Sequence, residues 1–239
     1  MSTDAASGLP TGKELAANDK KTRDLAVRKL RNYMSSIPDL SRIDLLKLWK
    51  GIFYGFWMSD KPLVQQALAM ELASLISDCP TEATLTFLDT FWEVFCAEWH
   101  GIDRIRLDKY YMLLRRVIFF SFLFLANQQW NPEIVDDYAE MLLAGPMHPT
   151  DRSKPDAIRY HIMQIYFEEL ENVLDLQREQ NEEFDLPVES VQRPITVTAK
   201  SNVNKVVRNK AKEALKNYEK LLKEKEEQKE EDQDESMEE

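Results

Sequence analysis

Cysteine is nearly missing from this 239-residue chain: Cys79 and Cys96 are the whole complement. Two thiols are too few for a disulfide framework and fit a reducing compartment. Glycine and proline are scarce as well, at 6 and 10 residues, and there are no Asn-Gly hairpin turns and few alternating apolar runs. That combination argues against sheet. No long hydrophobic run is present either. The most apolar stretch, Val117 to Ala126, is bounded by Arg115, Arg116 and Asn127, and falls short of the ~20 residues that a spanning helix needs. The opening MSTDAASGLPTGKE has neither the basic start nor the apolar core of a secretory signal, so the expectation is a soluble intracellular protein with no membrane partner. Positive charge is in deficit too. A formal net charge of -11 excludes nonspecific coating of nucleic acid through bulk attraction and leaves only local basic patches.

Motifs for chemistry are absent in the same way. There is no phosphate-cradling glycine loop, no Gly-x-Ser-x-Gly elbow and no zinc-protease helix signature. Cys96 and His100 are four residues apart, as a pair of metal ligands or a thiol–imidazole couple would be. A tetrahedral site needs two more ligands, however, and Cys79, His148 and His161 lack paired spacing. No cofactor, metal, catalytic residue or small-molecule substrate is expected.

Helical periodicity is what the chain has in abundance. The stretch LLKLWKGIFYGFWMSDKPLVQQALAMELASL puts Leu45, Leu48, Trp49, Ile52, Phe53 and Phe56 on one face. After it, Ser59 or Asp60 is expected to cap a second helix, with Pro62 in its first turn. A basic helix from about Asp19 to Ser35, stopped by Pro38, precedes this pair. Thr81, Asp103, Asn131 and Asp156 open further helices, of which the one ending in Met112 to Ala126 should be the most buried. The expected fold is all-α: an irregular stack of antiparallel helix pairs of armadillo or HEAT type, with a closed bundle as the alternative. The expected organisation is a disordered segment 1–18, a helical-repeat domain 19–178, an extended linker 179–199 and a charged tail 200–239. That tail is bipolar. It has nine Lys or Arg against three acidic residues up to Lys225, then nine acidic residues against one lysine. Its basic half, with Lys205, Arg208, Lys210 and Lys212, fits a nuclear address, and Ser236 sits in an acidic setting that a kinase would favour.

Candidate contact residues follow from charge and helix position. Arg23, Arg28 and Arg31 on the first helix form a basic run that is either a solvated face or a site for an anionic partner, and Arg104, Arg106 and Lys109, mixed with Asp103 and Asp108 before the buried helix, suggest fixed polar contacts. The aromatics Trp49, Phe53, Phe56, Trp92, Phe95 and Trp99 follow core spacing and lack interleaved basic residues, unlike a base-stacking platform. Trp57 and Trp130 lie near helix ends, where partial exposure at a protein interface is expected. Asp60 and Lys61 interrupt an apolar segment, as either a cap beside an exposed lysine or part of an interface.

The segments DLAVRKLRNYM, LWKGIFYGFWMSDKPLVQQ and TFWEVFCAEWHGIDRIRLDKYYMLLRRV together resemble the nucleolar ribosomal RNA processing protein one family, also called the Nop fifty-two family, over residues 19–178. Long basic extensions of some animal members are missing, which resembles the shorter fungal form. The resemblance implies an all-helical, non-enzymatic assembly factor of the nucleus and nucleolus, acting in precursor RNA processing toward the large ribosomal subunit. Its implied partners are other assembly factors and ribosomal proteins of the pre-ribosome, with local precursor RNA contact through Arg23, Arg28, Arg31, Arg104, Arg106 and Lys109. A helical-repeat adaptor in another intracellular pathway fits the same residues, and a ribonuclease using His100 or a carboxylate pair is the enzymatic alternative.

Overall fold

The computed structural model describes residues 10–34, 40–180 and 182–238. The disorder expected for residues 1–9, the stop expected at Pro38 and the Ser236 side chain fall outside what it describes. Among the described residues there are ten α-helices and no strand: α1 (Gly12–Leu15), α2 (Lys20–Met34), α3 (Arg42–Trp57), α4 (Pro62–Asp78), α5 (Thr81–Glu98), α6 (Leu107–Asn127), α7 (Pro132–Ala144), α8 (Asp156–Glu179), α9 (Val188–Ser201) and α10 (Lys205–Glu238). A short 3-10 turn, Trp99–Gly101, follows α5.

Helix starts obey local chemistry in some places and packing in others. Ser41 caps α3 by accepting from the Asp44 amide at 3.3 Å, and Asn131 caps α7 through the Glu133 amide at 3.0 Å. The expected caps of α4 and α5 are not used. The cap position of α4 is Lys61, without a side-chain bond. The Ser59 hydroxyl instead donates backward to the Phe56 carbonyl at 2.7 Å. Pro62 and Pro80 set the entry angle at these two starts, so fixed φ substitutes for a cap.

The helices stack in two layers. Odd-numbered helices pack on odd-numbered neighbours from α1 to α9, and even-numbered ones on even-numbered neighbours from α2 to α10, with no substantial contact from the first pair to the last among the described residues. This is an open, solenoid-like all-α stack. Its first half is cemented by rings: Trp49 lies 4.6 Å from Phe87, Phe53 lies 4.7 Å from Tyr110, and the Trp49 indole donates to the Phe87 carbonyl at 2.9 Å. Gly55 lets α1 approach closely, since a Cβ there would sit 3.1 Å from the Gly12 Cα. The central helix α6 is long and apolar enough to cross a bilayer by length and composition alone. Here Tyr110, Leu113, Leu114, Val117, Ile118, Phe122 and Leu125 are buried in the core, with α4 and α8 packed on either side.

Helix continues beyond residues 19–178 at both ends of the chain. Residues 10–18 include α1, which starts with a Thr11–Glu14 capping box and buries Leu15. The segment expected to be an extended linker contains α9, because Val191, Pro194, Ile195, Thr198 and Ala199 recur at helical spacing and are buried. Pro194 has no amide to offer the helix, and the Thr198 hydroxyl donates to its carbonyl at 2.8 Å. The tail forms α10, docked on α8. Val207, Ala211 and Tyr218 are buried, and Tyr218 stacks on Phe167 at 4.2 Å and 5°.

Candidate functional site

Six of the sequence-predicted contact residues come together at one end of the stack, where the α3–α4 and α5–α6 connections meet. Lys109, on the first turns of α6, is buried at 4% exposure, and its ammonium donates to the Trp57 carbonyl at 2.8 Å and the Ser59 carbonyl at 2.7 Å. Helix C-terminal carbonyls lack intrahelical partners, so an ammonium satisfies them well. Burial, helped by the neighbouring Arg106 charge, pushes the Lys109 pKa down to about 8, against the opposing pull of Asp60 and Asp103. Gln65 adds a second support, its amide donating to the Ser59 carbonyl at 3.0 Å and the Asp60 carbonyl at 3.2 Å. Arg106 pairs with Asp103 and lies 5.0 Å over the Trp57 ring. Asp103 also accepts from the Ile105 and Arg106 amides at 3.0 and 3.1 Å, fixing the second connection.

What this rigid frame displays is apolar. Ile105 is 91% exposed, Leu63 79% and Met58 46%. Met58 and Ile105 are each one residue from the Trp57–Arg106 stack, and Asp60, Lys61 and Arg104 are exposed among them. Exposed aliphatic residues on a fixed loop, edged by charge, suit binding rather than bond making.

The remaining candidates have other placements. Arg23 is buried and donates to the Ala17 carbonyl at 2.8 Å, so it closes the α1–α2 connection instead of facing a ligand. Lys109 is likewise consumed within the fold. Arg31 pairs with Asp78 and donates to the Ser74 hydroxyl at 2.7 Å, joining α2 to α4. Arg28 is exposed on α2. Trp130 contradicts the expected exposure: it is fully buried, and its indole donates to Gln177 Oε1 at 2.8 Å. The left-handed backbone at Gln129 and Trp130, φ 54° and 53°, turns the ring inward beneath α8. In the basic segment of α10, Lys205 and Lys212 are exposed, Lys210 pairs with Glu213 at 2.9 Å, and Arg208 donates to the Asn202 carbonyl at 2.6 Å.

One feature escaped sequence reading. A groove of about 840 Å³ runs between α8 and α10, with Met163, Phe167, Tyr218 and Leu221 among its lining and Glu168 and Glu213 at its edges. It depends on α10 docking, which the charge-rich tail did not advertise. The Cys96–His100 couple does not form, for Cys96 is buried with its thiol pushed up to about 11 by burial, while His100 is exposed. Among the described residues no group of three or more His, Cys, Asp or Glu could hold a metal ion.

A family model described as nucleolar protein, Nop52, matches residues 6–239. The match thus includes the tail, beyond the 19–178 span of the motif resemblance. Ribosomal RNA processing protein 1 homolog A of Homo sapiens is 39% identical over 171 residues, covering 69% of this chain and 37% of that protein. The Drosophila melanogaster homolog is 34% identical over 163 residues, 65% of this chain and 23% of the relative. For the Caenorhabditis elegans homolog the values are 32% over 171 residues, 70% and 43%. The chain spans less than half the length of these relatives. With the family model matched along nearly its whole length, the chain belongs to the Nop52 family of nucleolar proteins.

Proposed function

We propose that the chain is a non-enzymatic nucleolar assembly factor, a helical scaffold in pre-rRNA processing toward the large ribosomal subunit. The observation that carries this reading is the family match over residues 6–239, joined to relatives named as ribosomal RNA processing proteins. The architecture supports it, since a stacked helical array offers extended surfaces to several partners at once. The frame around Lys109 is the surface we assign to other assembly factors or ribosomal proteins of the pre-ribosome. Trp57, Asp60, Lys61 and Arg104 are its polar and aromatic contacts, and Leu63 and Ile105 its apolar ones. Arg28, Arg104 and Arg106 are what remains of the basic set for local RNA contact. Lys205 and Lys212 carry the proposed nuclear address.

Depletion and rescue test the reading. Cells depleted of the protein should accumulate large-subunit precursor RNA, and the wild-type chain should restore its maturation. The Leu63→Glu/Ile105→Glu double variant, altered only at exposed positions, should fold normally and fail to rescue. Unimpaired precursor maturation after depletion would refute the assembly role, and full rescue by the double variant would refute the docking surface.

A further inference from the structure

A second cavity lies at the same end of the stack, farther along it, where the connections α5–α6, α7–α8 and α9–α10 converge. Its volume is about 470 Å³, and His100, Arg152, Lys154, Arg159, Asn202 and Asn204 line it together with Asp151 and Asp156. The walls are fixed by a network of their own. Arg159, at 3% exposure, donates to the carbonyls of His148, Asp151 and Lys154, each at 2.7 Å, and to Asp156 Oδ1 at 2.7 Å. Asn204 donates to Asp156 Oδ2 at 2.8 Å, and the Val203 amide to the Pro149 carbonyl at 3.0 Å. The connections that form the cavity are therefore locked before any ligand arrives.

Two buried donors on this wall have no partner. Asn202 is 2% exposed and its Nδ2 is unpaired, as is the Nε of Arg159. Buried polar groups are nearly always bonded, so two orphan donors on residues that line one cavity point to a missing acceptor. Arg152 and Lys154 make no ion pair among the described residues, and they add positive charge in a molecule whose net charge is -11. The carboxylates of Asp151 and Asp156 lie in the same lining, an arrangement poorly suited to bare phosphate or a phosphorylated side chain. It suits a ribonucleotide, whose phosphate takes the donors and whose 2′-hydroxyl donates to a carboxylate. The cations continue on both sides: exposed Arg104 follows His100 by four residues, and exposed Lys205 follows Asn204 directly. A polymer, rather than a free nucleotide, matches that extension.

We propose that this cavity binds single-stranded RNA, seating one phosphodiester against Arg152, Lys154 and the Asn202 amide and one ribose hydroxyl against Asp151 or Asp156. The choice of RNA as the polymer deepens the scaffold reading and rests on it. Fluorescence anisotropy of the purified full chain with a labelled 12-nucleotide RNA tests it. Wild type should bind RNA more tightly than DNA of the same sequence and than a phosphoserine peptide. Arg152→Glu/Lys154→Glu should weaken RNA binding tenfold or more and flatten the salt dependence by about 0.7 log unit per log unit of salt for each phosphate that is no longer neutralised. A control with equal charge change at exposed sites on α1 and α2, Lys13→Glu/Lys21→Glu, should stay within about twofold of wild type on the same electrostatic grounds. No binding by wild type, equal affinity for DNA or the phosphopeptide, or an equal loss in the control would overturn the proposal. Failure here leaves co-purification with pre-ribosomes, and so the scaffold reading, to its own test.

Discussion

Replacing Lys109 by methionine isolates the contribution of the buried ammonium, because methionine retains an unbranched apolar stem and removes only the donor. The Trp57 carbonyl then loses its described partner, while the Ser59 carbonyl keeps the Gln65 amide at 3.0 Å. An unsatisfied buried acceptor costs about 1–3 kcal/mol. Relief from burying a charge offsets part of this, so a net loss of about 2 kcal/mol is expected. For a chain of this size that lowers Tm by about 4–8 °C, measurable by circular dichroism at pH 7. Adding Gln65→Ala leaves Ser59 bare, so the double variant should lose more than the sum of the single losses, by about 0.5 kcal/mol or more. The pH dependence has a definite sign. Folded Lys109 gives up its proton at about 8, whereas the unfolded chain holds it to near the ordinary 10.5. Between those values the unfolded state binds more protons, and the wild-type margin over Lys109→Met should widen as pH rises. A variant melting within about 1 °C of wild type at pH 7, against the shift expected from its size, would refute the claim that Lys109 holds the loop.

Three further outcomes are expected. His161 is held below its ordinary value of 6.5 mainly by burial, and its Nε2 lies 2.8 Å from the Tyr111 carbonyl. Stability should therefore be full above pH 6.5 and fall as pH drops below it, and His161→Gln should lessen that acid loss in urea titrations. Gly55→Val would push into Gly12 and Leu15, whose nearest atoms lie 3.1 and 3.2 Å from a Cβ at that position. It should cost about 1–3 kcal/mol through overpacking and open the α1 region to limited proteolysis; unchanged cleavage would argue against the α1–α3 contact. Asp60→Ala should leave Tm unchanged within about 2 °C, because Asp60 caps no helix, and should reduce capture of pre-ribosomal partners. A drop in Tm instead would restore the capping role.

The middle of the chain was legible because its signals agreed. Trp49, Phe53, Phe56, Trp92 and Phe95 repeat at helical spacing on long segments, and they are among the rings that pack, while Phe87 and Phe91, outside the stripe expected for α5, complete the cluster. The ends were harder, since composition and period conflicted there. Pro194 and the β-branched residues around it argued for extension, yet the spacing of Val191, Ile195 and Ala199 and the shelter of α7 and α10 produced α9. In α10 the charge density hid a sparse stripe of Val207, Ala211 and Tyr218. At the candidate site, sequence identified Trp57, Asp60, Lys61, Arg104, Arg106 and Lys109 separately, because charge interrupting an apolar pattern is visible locally. It had no means of telling which cation turns inward. Lys109 and Arg23 satisfy backbone carbonyls 52 and 6 residues away, and such pairings exist only after folding. The buried Trp130 failed for the same reason, its partner Gln177 lying 47 residues on.

Gentle purification of the tagged protein from nuclear extract, followed by probing the co-purified RNA for precursors of each ribosomal subunit, tests the central claim most directly. The account predicts enrichment of large-subunit precursors over small-subunit precursors. Intact protein recovered without any precursor RNA would contradict it, and would leave a helical adaptor that works elsewhere in the cell.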